Sequence, residues 1–527
     1  MRGTAGHPDV AVLLCADLGR RVELSALRGW LQQALPGVAA HVVPSLCAQR
    51  AEFARALRGV PASRLVLGVC AAPSEGAYFQ ARLRRADRDP LAVEVVDLGR
   101  IGRLHAGPVA TETAKVLLAG AVAKLRAFSG ARPEQLKPVR PAAVSRRAML
   151  TWSVFEYQVV PSVDAGRCRA DRGCRLCVDG CPRRAMEADN GAITVRKSDC
   201  ISCGVCVTAC PYDAVAFPGA TAAQVGAQIA ALLSAPASLW PRGILFTCRH
   251  SPALDAVASR GLTYPPNWLL AEVPCVAMIP PAWMLAPLAM NAAAVALVPC
   301  GDDGARGEME AVRGRVEYCR EVLRRCGEGD DRIRLLPEET HALADALRDI
   351  PAPAREGPEP AAEALFAAAA ASQVLLQLAG RYGAPGAAAI AHPSSPFGVV
   401  DVGEACTVCG ACADACPTDA LRVVQEATES VLAFTPSACV ACGRCVPRCP
   451  EPHTLRLRQV TDLRRLAAGP VDLRRTRTPR CEACGAPIAP EAMLRRVTAI
   501  LGRDGAAAAA VITRYCASCR GTAPPMS

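Results

Sequence analysis

Sixteen cysteines fall into four short runs, and each run ends in Cys-Pro. Three have one spacing: Cys200, Cys203, Cys206, Cys210; Cys406, Cys409, Cys412, Cys416; and Cys439, Cys442, Cys445, Cys449. The fourth, Cys168, Cys174, Cys177, Cys181, has five residues in its first gap instead of two. C-x2-C-x2-C-x3-C-P is the ligand spacing of a [4Fe–4S] cubane, in which three thiolates of one tight loop hold three irons and the fourth cysteine serves the neighbouring cluster. The proline stops a helix from continuing and turns the chain. By this crossed rule Cys168, Cys174 and Cys177 go with Cys210, and Cys200, Cys203 and Cys206 with Cys181. Cys406, Cys409 and Cys412 go with Cys449, and Cys439, Cys442 and Cys445 with Cys416. The longer gap reads as a loop insertion that leaves Cys168 as the natural ligand.

This pattern excludes several classes. A disulfide scaffold concentrates its cysteines in a small secreted domain; here 28 cysteines are spread over 527 residues, mostly in C-x2-C clusters. Four zinc sites would favour paired knuckles over four-cysteine runs. Metal thiolates need a reducing compartment, so the expected location is the cytoplasm. The N-terminus lacks a signal-peptide pattern, and the "SRRAML" at 145–150 is internal. Val273–Gly301 carries no charged residue, but prolines at 274, 280, 281, 287 and 299 favour a buried strand–helix–strand over a membrane span. The net charge of +11 is dispersed and reads as a solvated surface.

The runs resemble two-cluster bacterial ferredoxins over about 165–217 and 400–458. The resemblance implies two small hairpin-and-helix modules with two [4Fe–4S] clusters each. "DNGAITV" at 189–195 supplies the hairpin turn.

A second repeat surrounds the first module. "VAVLLC", "HVVPSLC" and "RLVLGVC" end in Cys15, Cys47 and Cys70; "GILFTC", "LLAEVPC" and "VALVPC" end in Cys248, Cys275 and Cys300. Helical stretches lie between, which predicts parallel sheets with crossover helices. Ligand sites gather beyond the carboxyl ends of such strands, where three thiols can converge. The first 130 residues resemble the N-terminal domain of the A-type polypeptide of heterodisulfide reductase. Residues 241–340 resemble the delta iron–sulfur subunit of methyl-viologen-reducing hydrogenase, through "ILFTC", "EVPC", "VALVPCGDD" and "VRGRVEYCREVLRR". That resemblance implies electron transfer between a hydrogenase or formate dehydrogenase and a disulfide-reducing or flavin partner. Neither "CRHS" nor "CGDDGA" carries the delta family's extra cysteines. A [2Fe–2S] cluster on Cys248, Cys275 and Cys300 therefore needs a fourth ligand, for which His250 is the candidate; in the N-terminal domain the family's later cysteine is absent from "DLGRIGRLHAG", where His105 is the candidate substitute. Cys319 and Cys326 read as buried apolar residues. No G-x-G-x-x-G follows a strand, so no flavin domain is expected.

Cys481, Cys484, Cys516 and Cys519 form two knuckles that resemble a zinc ribbon holding one zinc. Arg474, Arg475, Arg477 and Arg480 nearby suit either nucleic acid or a solvated basic face. The expected fold is α/β plus α+β. Its domains are a parallel-sheet domain at 1–140, a ferredoxin module at 150–220, a second α/β domain at 240–340, a helical linker at 341–400, a second ferredoxin module at 401–460 and a zinc-ribbon-like module at 471–527. The expected function is electron transfer through about four [4Fe–4S] clusters, within a hydrogenase, formate dehydrogenase or heterodisulfide reductase-like complex. Its partners are then other redox subunits, without nucleic acid or a membrane span. No catalytic residue stands out. The alternatives are a disulfide-reducing or flavin-dependent enzyme, and a redox-responsive interaction protein that uses its zinc ribbon.

Overall fold

A computed structural model describes residues 8–47, 50–70, 77–130, 136–139, 156–234, 237–248, 251–299, 306–351, 363–381 and 389–522. The chain forms two compact units, one of residues 1–168 and 175–384, the other of 169–174 and 385–527.

The first unit holds two parallel sheets of the same topology. Strands β1 (Val10–Cys15), β2 (Val38–Val43), β3 (Arg64–Val69) and β4 (Val93–Asp97) lie in the order β2-β1-β3-β4. Every residue of β1 is buried. Its continuous apolar run suits a central parallel strand covered on both faces. The crossover helices are α1 (Leu24–Ala34) and α2 (Arg50–Gly59); α3 (Ala77–Arg85), α4 (Leu98–Leu104) and α5 (Gly107–Arg126) follow. The second sheet places Trp268–Val273, Gly243–Cys248, Ala294–Val298 and Ile333–Leu335 side by side, all parallel. The uncharged stretch from Val273 is a short turn, a helix at Pro281–Ala289 and the strand Ala294–Val298. No helix among the described residues is long and apolar enough to cross a membrane.

The two sheets share one packed body. Helix α5 lies against the helix Ala222–Leu233, where Gly120 admits Leu232 so closely that a Cβ would meet it at 3.0 Å. Lys124 is fully buried; its ammonium stands 3.2 Å from the Glu94 carboxylate and donates to the Glu272 carbonyl. Arg100, also buried, reaches Glu272 at 3.3 Å and Asp255 at 3.4 Å. Such pairs hold register more than they add stability, but removing one partner strands the other.

The expected linker at 341–400 departs from that role. Its helical pieces belong to the first unit: Phe366, Val374, Leu375 and Leu378 are buried, and the Trp283 indole donates to the Phe366 carbonyl at 2.7 Å. One apolar stripe on Ala371–Arg381 is enough to dock that helix. Further on, Ile390–Ala391 pairs with Leu455–Thr461 in the second unit.

The second unit is antiparallel. Gly398–Val402 pairs with Leu455–Thr461, and Leu421–Gln425 with Glu429–Phe434. A strand at Val471–Arg477 adds to Glu429–Phe434 with a bulge at Leu432/Ala433, so the module continues past residue 460. Between the two C-terminal knuckles lie helices Glu491–Leu501 and Ala506–Arg514; of a ribbon's strands the described residues show a bridge between Arg480 and Pro487.

Candidate cluster sites and thiol sites

The ferredoxin-like loops are built by backbone that sequence propensity disfavours. Ser202, Val408 and Ala441 precede the second cysteine of their runs and have φ of 60°, 54° and 52°. For a β-branched residue such as Val408 this is costly. Gly173, just before Cys174, has φ 76°, so the run with the longer gap keeps the same left-handed step. Gly204, at φ 73°, has no room for a side chain, because a Cβ there would stand 2.7 Å from Met278 Cβ. Left-handed residues on either side of a cysteine, as Ser202 and Gly204 are around Cys203, turn backbone N–H groups toward one concavity, which suits anionic sulfur.

Three cavities result. Cys406, Cys409, Cys412 and Cys449 line one, with Val402, Val408 and Leu432 as apolar wall. Cys439, Cys442, Cys445 and Cys416 line a second, with Val400, Leu421 and Phe434. Cys200, Cys203, Cys206 and Cys181 line a third, with Pro161, Ile201 and Phe217. Each collects three cysteines of one run and the last of the other. In the remaining run, the Cys168 amide donates to the Asp164 carbonyl and the Cys174 amide to the Arg169 carbonyl.

Burial, then repulsion from neighbouring thiolates and, at Cys203, first from the Glu308 carboxylate, pushes these thiols up: Cys203 and Cys439 to about 11, Cys412 and Cys445 to about 12. A site that must hold thiolates in apolar walls needs a cation among them. The donor set therefore fits an iron–sulfur cage.

Two other groups are tighter. Among the described residues, the ligand atoms of Cys481, Cys484, Cys516 and Cys519 all lie within 4.8 Å of one another, as do those of Cys15, Cys47 and Cys70. In the C-terminal group, Cys484 Sγ and Cys516 Sγ are 3.6 Å apart. Backbone N–H groups, first that of Cys516, draw Cys481 down to about 6. In the N-terminal group, hydrogen bonding from the Cys47 thiol draws Cys15 down to about 5, against the opposing effect of burial. The sequence pattern puts these three thiols at the carboxyl ends of parallel strands, where they can converge, and the sheet order brings their sulfurs together.

Cys248 and Cys275 are buried in adjacent strand ends, where Cys248 Sγ accepts from the Val276 amide at 3.2 Å. Cys300 and His250 lie outside the described residues. His105 packs edge-on against Tyr264, ring centroids 6.1 Å apart, and burial lowers its pKa. Cys319 and Cys326 are buried. Of the arginines before the knuckles, Arg475, Arg477 and Arg480 are exposed and Arg474 is half-buried. Arg475 is held by Glu426, Glu429 and Asp472 at 2.6–2.8 Å, Arg474 donates to the Glu404 carbonyl, and Arg480 donates to the Gly485 and Ala427 carbonyls.

Paired proline-ended runs folded over shared cavities define the class of dicluster iron–sulfur proteins. In agreement, the family "4Fe-4S dicluster domain" matches residues 167–214 and 405–452. A ferredoxin of Methanothermococcus thermolithotrophicus is 36% identical over 55 residues, 10% of this chain and 90% of that protein. Through these modules the chain belongs to the ferredoxin family. The family "Methyl-viologen-reducing hydrogenase, delta subunit" matches residues 244–350, the second parallel sheet and its helices. Larger relatives are matched over short stretches. The arsenate respiratory reductase iron–sulfur subunit of Shewanella is 44% identical over 46 residues, 8% of this chain and 20% of its own length. The electron transport protein HydN of Escherichia coli is 43% identical over 47 residues, 8% of this chain and 27% of its own. The chain thus spans between 20% and 27% of the length of these larger relatives.

Proposed function

We propose that this chain relays electrons through four [4Fe–4S] clusters as a subunit of a hydrogenase, formate dehydrogenase or heterodisulfide reductase-like complex. The observation that carries the reading is the lining of three cavities by three cysteines of one run and the fourth of its partner. In this reading those twelve cysteines are the ligands of three clusters, and Cys168, Cys174, Cys177 and Cys210 serve the fourth by spacing. What such a cluster supplies when bound is reversible one-electron transfer. The chain's own residues set its conditions. Val408, Leu432, Val400 and Phe434 keep water away. The left-handed loop residues aim backbone donors at the sulfurs, and solvent exposure with hydrogen bonding to sulfur tunes the potential.

The first module has a built-in neighbour. The Thr208 hydroxyl donates to the Met278 carbonyl, and the Met278 amide donates to the Cys275 carbonyl, so the loop over Cys200–Cys206 leans on the delta-subunit-like sheet. That sheet is the docking element we assign to a hydrogenase or dehydrogenase partner, in keeping with the hydrogenase delta-subunit family it matches. Cys481, Cys484, Cys516 and Cys519 are assigned one structural zinc, the ion suited to four clustered thiolates. A reducing compartment such as the cytoplasm suits these thiolates.

Anaerobic iron, sulfide and zinc analysis with EPR tests the proposal. About sixteen irons per chain and cubane signals on reduction are expected. A colourless preparation with few irons, and with the run cysteines open to alkylation, would overturn it.

A further inference from the structure

Cys15, Cys47 and Cys70 stand apart from every cysteine assigned above. Cys15 ends β1, Cys70 follows β3 directly, and Cys47 follows β2 by four residues. With the order β2-β1-β3-β4, the chain leaves β1 to one side and returns on the other, which makes the carboxyl ends of β1 and β3 the topological switch point. That is where open parallel sheets bind their ligands. Cys15 and Cys70 sit on those two adjacent ends.

The spacing of the sulfurs says what kind of ligand fits. Cys15 Sγ and Cys70 Sγ are 3.7 Å apart, and all three sulfurs lie within 4.8 Å of one another. One tetrahedral ion with metal–sulfur bonds of about 2.3 Å sets its sulfurs roughly 3.8 Å apart. The proline-ended runs give an internal contrast, because none of them is among the groups this tight. Their sulfurs surround a space for a multi-iron cage; these three surround a point.

The surroundings hold the sulfurs in place. The Cys70 amide donates to Cys47 Sγ at 3.3 Å, a backbone hydrogen bond of the kind that orients thiolate ligands. A Cβ on Gly99 would come within 1.7 Å of the Cys70 carbonyl oxygen, so α4 fixes that backbone from behind. On the exposed side, Asp17 Oδ2 is 3.6 Å from Cys15 Sγ. About 3.5 Å is the sulfur–oxygen separation of two ligands on one tetrahedral zinc, given bonds of about 2.3 and 2.0 Å.

We propose that Cys15, Cys47 and Cys70 bind a single zinc ion, with the fourth position on the Asp17 side and filled by that carboxylate or by water. Three protein thiolates and one exchangeable position make it a different kind of site from the closed four-thiolate group at the C-terminus. The soft donor set selects zinc over magnesium, calcium or manganese.

The test uses the full chain, purified anaerobically with added zinc, desalted, and analysed for zinc and iron. The Cys481→Ser/Cys516→Ser variant removes the C-terminal group. It should retain about one zinc per chain, with a zinc-edge X-ray spectrum of three sulfurs, one lighter atom and no metal neighbour. Adding Cys15→Ser/Cys70→Ser should remove that zinc and leave the iron count unchanged. Cys47→His should keep the zinc and replace one sulfur by nitrogen, a change that needs no loss of fold to be read. A zinc-free Cys481→Ser/Cys516→Ser chain, iron lost together with Cys15 and Cys70, or a Cys15–Cys70 disulfide in the anaerobic protein would each overturn the proposal. None of those outcomes alters the sixteen-cysteine reading, which stands on iron and sulfide.

Discussion

The crossing of ligands makes an arithmetic prediction that does not depend on how strongly any one cysteine binds. Cys449 lines the cavity of Cys406, Cys409 and Cys412, although it lies in sequence with Cys439, Cys442 and Cys445. Cys449→Ala should therefore cost the first cavity its cubane, about four of roughly sixteen irons. A second substitution in the same cavity, Cys406→Ala, should remove nothing further. Cys439→Ala, in the other cavity, should bring the combined loss with Cys449→Ala to about eight. Where one lost ligand leaves a three-iron cage, each single variant loses about one iron, and the Cys449/Cys406 double variant, with two thiolates left, loses at most about the four irons of that one site. Iron and sulfide analysis of the three single and two double variants, with EPR of the oxidised proteins for three-iron signals, reads the pattern. Additive losses for Cys449 with Cys406, and none beyond the singles for Cys449 with Cys439, would refute the crossed geometry.

Gly204→Ala combines a left-handed residue, at about 1–3 kcal/mol, with a contact of 2.7 Å to Met278 Cβ. It should lower the midpoint of thermal unfolding and the iron retained on dilution, while Gly443→Ala, with nothing within 4 Å, should incur only the backbone cost. Lys124→Ala should destabilise the first unit by about 3–5 kcal/mol, because it leaves Glu94 buried without its cation. Lys124→Met with Glu94→Gln should recover most of that in denaturant unfolding. Burial pushes the Asp213 carboxyl above its usual 3.8, so wild-type stability falls as pH rises from there through the raised value. Asp213→Asn can still accept from the Ala368 amide. In thermal unfolding its advantage over wild type should grow from about pH 4 upward and level off once the wild-type carboxylate is fully ionised.

Much of the molecule is legible in its sequence. The spacing of the cysteine runs carries the cluster chemistry because a ligand loop is local: three residues of one tight turn meet one cage. The cysteine-ended apolar runs announced two parallel sheets, and Asn190-Gly191, at φ 46° and 75°, makes the hairpin turn that its sequence implies. Other features ran against local signals. Val408 in a left-handed conformation contradicts its own propensity, and is held there by the cavity it helps to wall. The alanine-rich stretch after 341 looked like a spacer because a single apolar stripe on a short helix is a weak signal; its docking depends on Trp283 and Leu288, far away in sequence. The strand Val471–Arg477 was hidden by its arginines, which face carboxylates and carbonyls contributed by other segments.

The sequence by itself determined that this chain carries iron–sulfur ligand loops and alternating strand–helix segments, because both are short-range patterns. Tertiary structure alone decided that three thiols from separate strand ends, 32 and 23 residues apart, come within 4.8 Å. Which strands lie side by side depends on crossover connections and buried packing, and no local residue pattern encodes that distance.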